Sequence, residues 1–170
     1  MSKEGYDSIC KKALEKGANI AKTISVDSVV VEPWVQLKCR FGCPRYGKSK
    51  TCPPFSPDYK ETRQILDCYK NAILIEGEPP GKEFKEMLIN LEHEANFAGY
   101  YKAFAFSAGP CPLCGECNVD EPCRSPEKAR PSMESCGIDV FKTVRNNGFE
   151  VNFLEHRTQY VKYFGLILIE

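Results

Sequence analysis

Asn71-Ala-Ile-Leu-Ile-Glu76, Gly77-Glu-Pro-Pro-Gly81 and the run 82–98 lead into Lys102-Ala-Phe-Ala-Phe-Ser107. The first piece is short, apolar and closed by a Gly/Pro cluster, the pattern of a buried strand ending in a turn. In the run 82–98, Phe84, Met87, Leu88, Leu91 and Ala95 recur at helical spacing and make one apolar face, which a sheet would cover. The last piece reads as a strand running straight into Gly109-Pro110 and Cys111. Strand, helix, strand and a cysteine-rich loop predict an α/β chain, an α+β sandwich in which a mixed β-sheet carries packed helices.

Further elements flank this unit. A helix is expected over 3–16, stopped by Gly17, and a β-branched strand over 26–31 before Pro33 and Trp34. Another helix is expected over 57–70, and Asp139 fits the N-cap of a helix carrying Val140, Phe141 and Val144 that ends at Asn147-Gly148. Two strands are expected over 149–154 and 164–170. With 170 residues the chain is long enough for one core and short for two, so a single domain over 1–170 is expected, with cysteine-rich loops at 39–57 and 109–126.

The loop after the second strand reads Cys111-Pro-Leu-Cys114-Gly-Glu-Cys117-Asn-Val-Asp-Glu-Pro-Cys123, a C-x2-C-x2-C-x5-C array. Three thiolates so tightly spaced wrap a compact inorganic core, and the fourth closes it from the far side. The pattern is close to the C-x2-C-x2-C-x3-C-P run that binds a [4Fe-4S] cube, with a last gap two residues longer and Arg124-Ser-Pro after Cys123. Structural zinc more often takes two C-x2-C pairs a dozen or more residues apart, and it stands as the alternative cofactor. Disulfides belong to secreted chains, and Met-Ser-Lys-Glu-Gly-Tyr-Asp at the start has neither an apolar core nor a cleavage site, so a cytoplasmic location is expected.

Upstream, Cys39, Cys43 and Cys52 make a C-x3-C-x8-C array threaded with Gly and Pro, which reads as a folded-back loop. Three thiolates could hold a second iron-sulfur centre whose remaining position is filled from elsewhere or left open to substrate. Cys68 is the candidate fourth ligand, although its place in the stripe Ile65, Cys68, Tyr69, Ala72 equally suits a buried helix residue. Cys10 and Cys136 read as core thiols, Trp34 as a core side chain, and His93 and His156 as surface residues. Both arrays are followed by Ser-Pro and an acid (Ser56-Pro-Asp and Ser125-Pro-Glu), which fits a helix start whose N-H groups would face an anionic cluster. The first array carries Lys38, Arg40, Arg45, Lys48 and Lys50 without an acid, and the second encloses Glu116, Asp120 and Glu121 without a base.

Lys and Arg total 23, as do Asp and Glu, so no global field favours nucleic acid or an anionic membrane. No apolar stretch reaches the roughly 18 residues of a membrane span. P-loop, G-x-G-x-x-G and G-x-S-x-G motifs are missing from the sequence.

Taken together, Cys39, Cys43, Tyr46 and Gly47, the Cys52-Pro-Pro element, Gly109-Pro-Cys-Pro-Leu-Cys-Gly-Glu-Cys, Cys123-Arg-Ser-Pro, and Ala129-Arg-Pro-Ser-Met-Glu continuing to Gly137-Ile-Asp-Val140 resemble a cysteine-rich family described as predicted metal-binding proteins. That family is found mainly in methanogenic archaea and other anaerobes, and the likeness covers nearly the whole chain. The resemblance implies a metal site and an anaerobic setting, matches seven cysteines, and places alanine where Cys136 stands. It supplies no reaction. The leading expectation is an iron-sulfur protein with one or two [4Fe-4S] clusters that passes electrons to a redox partner protein, with a homodimer as a possible assembly. An iron-sulfur enzyme binding substrate at an open iron of the three-cysteine site, and a zinc-stabilised interaction module, are the alternatives.

Overall fold

The computed structural model describes residues 3–77, 81–151 and 162–170. Its elements, in chain order, are α1 (Lys3–Glu15), β1 (Ala18–Ser25), α2 (Pro33–Gly42), α3 (Tyr59–Leu66), β2 (Asn71–Gly77), α4 (Lys82–Phe97), β3 (Phe104–Phe106), α5 (Val140–Asn146) and β4 (Tyr163–Leu168), with short 3-10 turns at Val26–Ser28 and Glu134–Cys136. The expected α+β architecture is present. The strands form one sheet in the order β1-β2-β4-β3.

Every strand pairing in that sheet is antiparallel, where a mixed sheet was expected. The reason lies in β4. It inserts between β2 and β3, pairing Ile75 with Gly165 on one side and Phe106 with Leu166 on the other. β2 and β3 therefore run in the same direction but never touch, and β2-α4-β3 is a split β-α-β unit.

The sheet is covered on both faces, which explains its unbroken apolar strands. Ile73, Ile75, Ala105 and Ile167 face Tyr6, Ile9 and Ala13 of α1 and Phe84, Leu88 and Leu91 of α4. Leu74, Phe106, Leu166 and Leu168 face Val26, Val29, Leu66, Met133, Ile138 and Val144. Full burial of each such Leu or Ile stabilises the fold by about 1.5–3 kcal/mol. Two glycines let α4 approach: a Cβ on Gly77 would overlap Phe84, and one on Gly165 would overlap Leu88.

Several local expectations are corrected. The strand sits at Ala18–Ser25 instead of 26–31, because Ile24 and Ser25 register with Ala72 and Asn71, after which Ser25 turns the chain by accepting a hydrogen bond from Asp27 N–H. Val26 and Val29 still reach the core, as their apolar character required. Pro33 opens a helix that the sequence reading missed, with Pro at its start and Trp34 42% exposed rather than in the core. The third helix starts at Tyr59, where the Asp58 carboxylate accepts from Lys60 and Glu61 N–H (both 2.8 Å) and Glu61 returns the bond in a capping box. Phe149 to Val151 is not strand, and the rest of the strand expected over 149–154 lies outside the described residues, as does His156. His93 is exposed as expected.

Candidate metal centre

The first cysteine array begins on a helix, not in a loop. Cys39 lies in the last turn of α2, and Cys43 caps it, its N–H donating to Cys39 O (3.3 Å). A C-x3-C spacing is one helical turn, so both thiols leave the same side of α2. Beyond Cys43 the chain folds back at Gly47, whose φ of +69° favours glycine, and Gly47 N–H donates to Pro53 O (2.9 Å). That return brings Cys52 near the first two thiols. Burial pushes the Cys39 thiol up, and the neighbouring Cys43 and Cys52 add to the effect. Burial also pushes Cys52 up, against hydrogen bonds from Ser49 and Thr51 that favour its thiolate. Cys52 is buried, Cys39 half-buried and Cys43 exposed.

Gln36 locks this array to the core. Its Nε2 donates to Ser135 O (2.8 Å) and Pro57 O (3.1 Å), and its Oε1 accepts from Tyr59 N–H (3.2 Å). One amide thus ties α2 to the start of α3 and to the turn Glu134–Cys136. Ser56, expected to cap a helix, instead donates to the same Ser135 O (2.8 Å).

The second array hangs from the end of β3. Ser107 N–H donates to Pro131 O (2.7 Å) and Ser107 O accepts from Met133 N–H (3.0 Å), so the chain leaving the sheet is bracketed by the chain that returns to it. Cys111, Cys114, Cys117 and Cys123 are all half-buried. Burial pushes Cys111 up; the Leu113 backbone and Lys85 oppose this, while Cys114 and Cys123 reinforce it. After Cys123 there is a single turn, with Lys128 and Ala129 N–H both donating to Ser125 O (3.1 and 3.0 Å), in place of the expected helix. The second array therefore does not lead into a helix, whereas the first leads through 53–57 to α3, which is capped by Asp58 instead of Ser56.

Two groups that the sequence reading overlooked organise the second array. Arg130 forms a two-pronged pair with Glu92 of α4 (Nε to Oε2 2.7 Å, Nη2 to Oε1 2.6 Å), and Glu92 also accepts from Ala105 N–H (2.7 Å). This joins the segment after Cys123 to α4 and β3. Lys85, two turns earlier on α4, donates to Gly109 O (3.1 Å) and to Pro110 O. Lys85, Ile89 and Glu92 follow i, i+4, i+7, a stripe beside the apolar face of α4, but the spacing alone does not set these two charges apart from solvated ones.

The loops meet. Lys50 Nζ donates to Val119 O (2.7 Å), and a cleft of about 1330 Å³ has Arg45, Gly47 and Lys48 on one wall and Cys114, Gly115 and Cys117 on the other. A second cavity of about 450 Å³ borders Cys39 and Cys43 and is lined by Trp34, Lys38 and Glu134.

All ten cysteines are free. Seven soft thiols in two neighbouring sets suit an iron-sulfur centre or zinc by donor chemistry. Among the described residues no group of three Cys, His, Asp or Glu side chains is drawn together closely enough to hold a metal ion. Cys68, the candidate fourth ligand, is exposed, contrary to the core reading, and donates to Gln64 O (3.5 Å). Cys10 is half-buried against the core, as expected. Cys136 is fully buried, and burial pushes its thiol up to about 12, which keeps it neutral.

Fold and cysteine placement define a cysteine-rich α+β protein with two adjoining thiol sets. The model of the family described as predicted metal-binding protein (DUF2284) matches residues 22–169, and the chain belongs to that family. No curated protein and no solved structure matches it. Among the described residues, no helix is long and apolar enough to cross a membrane.

Proposed function

We propose that this metal-binding protein is an iron-sulfur protein, with a [4Fe-4S] cluster on Cys111, Cys114, Cys117 and Cys123 and a second centre on Cys39, Cys43 and Cys52, and that it passes single electrons to a redox partner protein. The observation that carries the reading is the C-x2-C-x2-C-x5-C run itself, whose free thiols stand half-buried at the end of a strand, with Cys111 feeling both Cys114 and Cys123. Such thiolate-held clusters supply reversible one-electron exchange over a wide range of potentials.

The chain's own residues prepare the two sets differently. Lys38, Arg40, Arg45 and Lys48 are exposed around the first, which suits an anionic partner or substrate. Glu116, Asp120 and Glu121 lie within the run that carries the second, and a more negative setting makes a centre harder to reduce. The expected electron path enters and leaves through centres of unequal potential. The cavity beside Cys39 and Cys43 supports a second reading, an enzyme that binds a small molecule at the three-thiol centre.

Replacing Cys117 by Ser, and separately Cys39 by Ser, tests both readings on protein purified without oxygen. Under the carrier reading each variant loses one centre, keeps the visible absorption of the other, and shows one reduction wave where the parent shows two. If Cys117→Ser leaves the spectrum and the waves unchanged, the four-cysteine assignment is wrong. Loss of small-molecule binding in Cys39→Ser, with electron exchange retained, would select the enzyme.

A further inference from the structure

We infer that a cavity between α3, β3 and the segment after Cys123 is a binding site for a small organic anion with a flat apolar body, of which an aromatic carboxylate is the simplest kind. The inference goes beyond the iron-sulfur reading and does not rest on which metal the cysteines hold.

The cavity exists because β3 is short and lies at the edge of the sheet. Phe104 and Phe106 leave the same face of that strand, and their rings meet edge to face at 5.5 Å. Phe106 is fully buried, but Phe104 is only half-buried. The space beside them measures about 520 Å³ and is lined also by Ile65 of α3 and by Pro126 and Pro131 of the segment that returns to the sheet. Phe55, just after the first cysteine array, borders it and is 48% exposed. Such a volume with such a lining is that of a site for a small organic molecule, and rings give it large apolar contact at fixed geometry.

The charges on the lining are of one sign. Lys50 and Lys102 border the cavity, and among the described residues no carboxylate does. Both ammoniums are held in place by neutral groups. Lys50 donates to Val119 O (2.7 Å), while Lys102 donates to Cys68 O (2.9 Å) and lies 5.3 Å from the centre of the Tyr69 ring. A carbonyl or a ring leaves the charge unneutralised, and an ammonium carries three donors, so each lysine keeps donors for an incoming anion. Other lysines of the chain meet carboxylates, as Lys12 and Lys16 meet Glu94 (2.9 and 3.4 Å). Apolar walls screen a charge less than water does, which strengthens the pull of these two on an anion. Cys123 borders the same cavity, so its occupant lies beside the four-cysteine run.

Calorimetric titration of the full chain, purified without oxygen, with cinnamate and with the uncharged cinnamyl alcohol tests this. One cinnamate should bind per chain, and more tightly than the alcohol. Lys102→Met should weaken cinnamate by roughly ten- to hundredfold, the loss expected for a hydrogen bond to a charged group, and leave the alcohol unchanged, while Lys102→Arg should restore most of the affinity. Phe55→Ala should weaken both probes, whereas Trp34→Ala, in the cavity beside Cys39 and Cys43, should change neither. Equal binding of the two probes, or cinnamate binding indifferent to Lys102→Met, would overturn the choice of an anion. Sensitivity to Trp34→Ala with none to Phe55→Ala would assign the probe to the other cavity and overturn the site, and no binding of cinnamate would overturn the inference outright. None of these outcomes bears on iron and sulfide content, which tests the metal reading separately.

Discussion

Arg130 and Glu92 are almost withdrawn from solvent, with side chains 11% and 5% exposed, and they form a two-pronged ion pair. A buried charge deprived of its partner costs far more than the pair contributes, since the survivor keeps its desolvation penalty without compensation. Arg130→Met should therefore lower stability by about 3–5 kcal/mol, read from denaturant unfolding, whereas Arg130→Met with Glu92→Leu should recover much of that loss. The recovery would be incomplete because Glu92 also accepts from Ala105 N–H and Arg130 also donates to Ala129 O (3.0 Å), bonds that no apolar pair replaces. Little effect of Arg130→Met alone would mean the pair does not anchor the cysteine loop. None of this was legible in the sequence. Glu92 and Arg130 stand 38 positions apart, and nothing local distinguishes either from a solvated surface charge. Cys136 was read as a core thiol, and it is buried.

At the scale of elements, α4 and β4 are pressed together where Gly165 meets Leu88. Gly165→Ala should cost about 1–3 kcal/mol through overpacking, since the contact is with a fully buried Leu88 between a sheet and a helix. Leu88→Ala in the same chain should relieve the clash, and if Gly165→Ala unfolds at the parent's midpoint the close approach is not real. β2, α4 and β4 announce themselves by apolar runs or helical period, because packing on both faces demands those patterns. α2 does not. Its outward stripe of Trp34, Leu37 and Phe41, exposed by 42%, 55% and 79%, inverts the usual relation between apolar period and burial. Only Pro33 at the first helical position and the one-turn spacing of Cys39 and Cys43 betray it. β1 misleads for another reason. Val29, Val30 and Val31 look more strand-like than Ala18 to Ser25, yet register with β2 decides which segment pairs. The sheet's direction likewise depends on where β4 inserts, a long-range choice that strand patterns leave open.

For the molecule as a whole, opposite charges are partitioned between two loops of a chain with no net charge, and the loops are stapled by Lys50. The cysteine spacing made the ligand candidates legible, since soft thiolates at short intervals have few other uses in a chain without disulfides. The adjacency of the arrays was not legible, because it follows from long-range contacts: Leu88 packs α4 on the sheet, and Gln36 ties α2 to the start of α3 and to the turn at Glu134–Cys136. The central claim, two thiolate-held iron-sulfur centres, is tested most directly by iron, acid-labile sulfide and zinc per chain in protein purified without oxygen. The account predicts about eight irons with matching sulfide if both centres are cubes, and about four if only Cys111, Cys114, Cys117 and Cys123 are filled. Zinc without sulfide would contradict it.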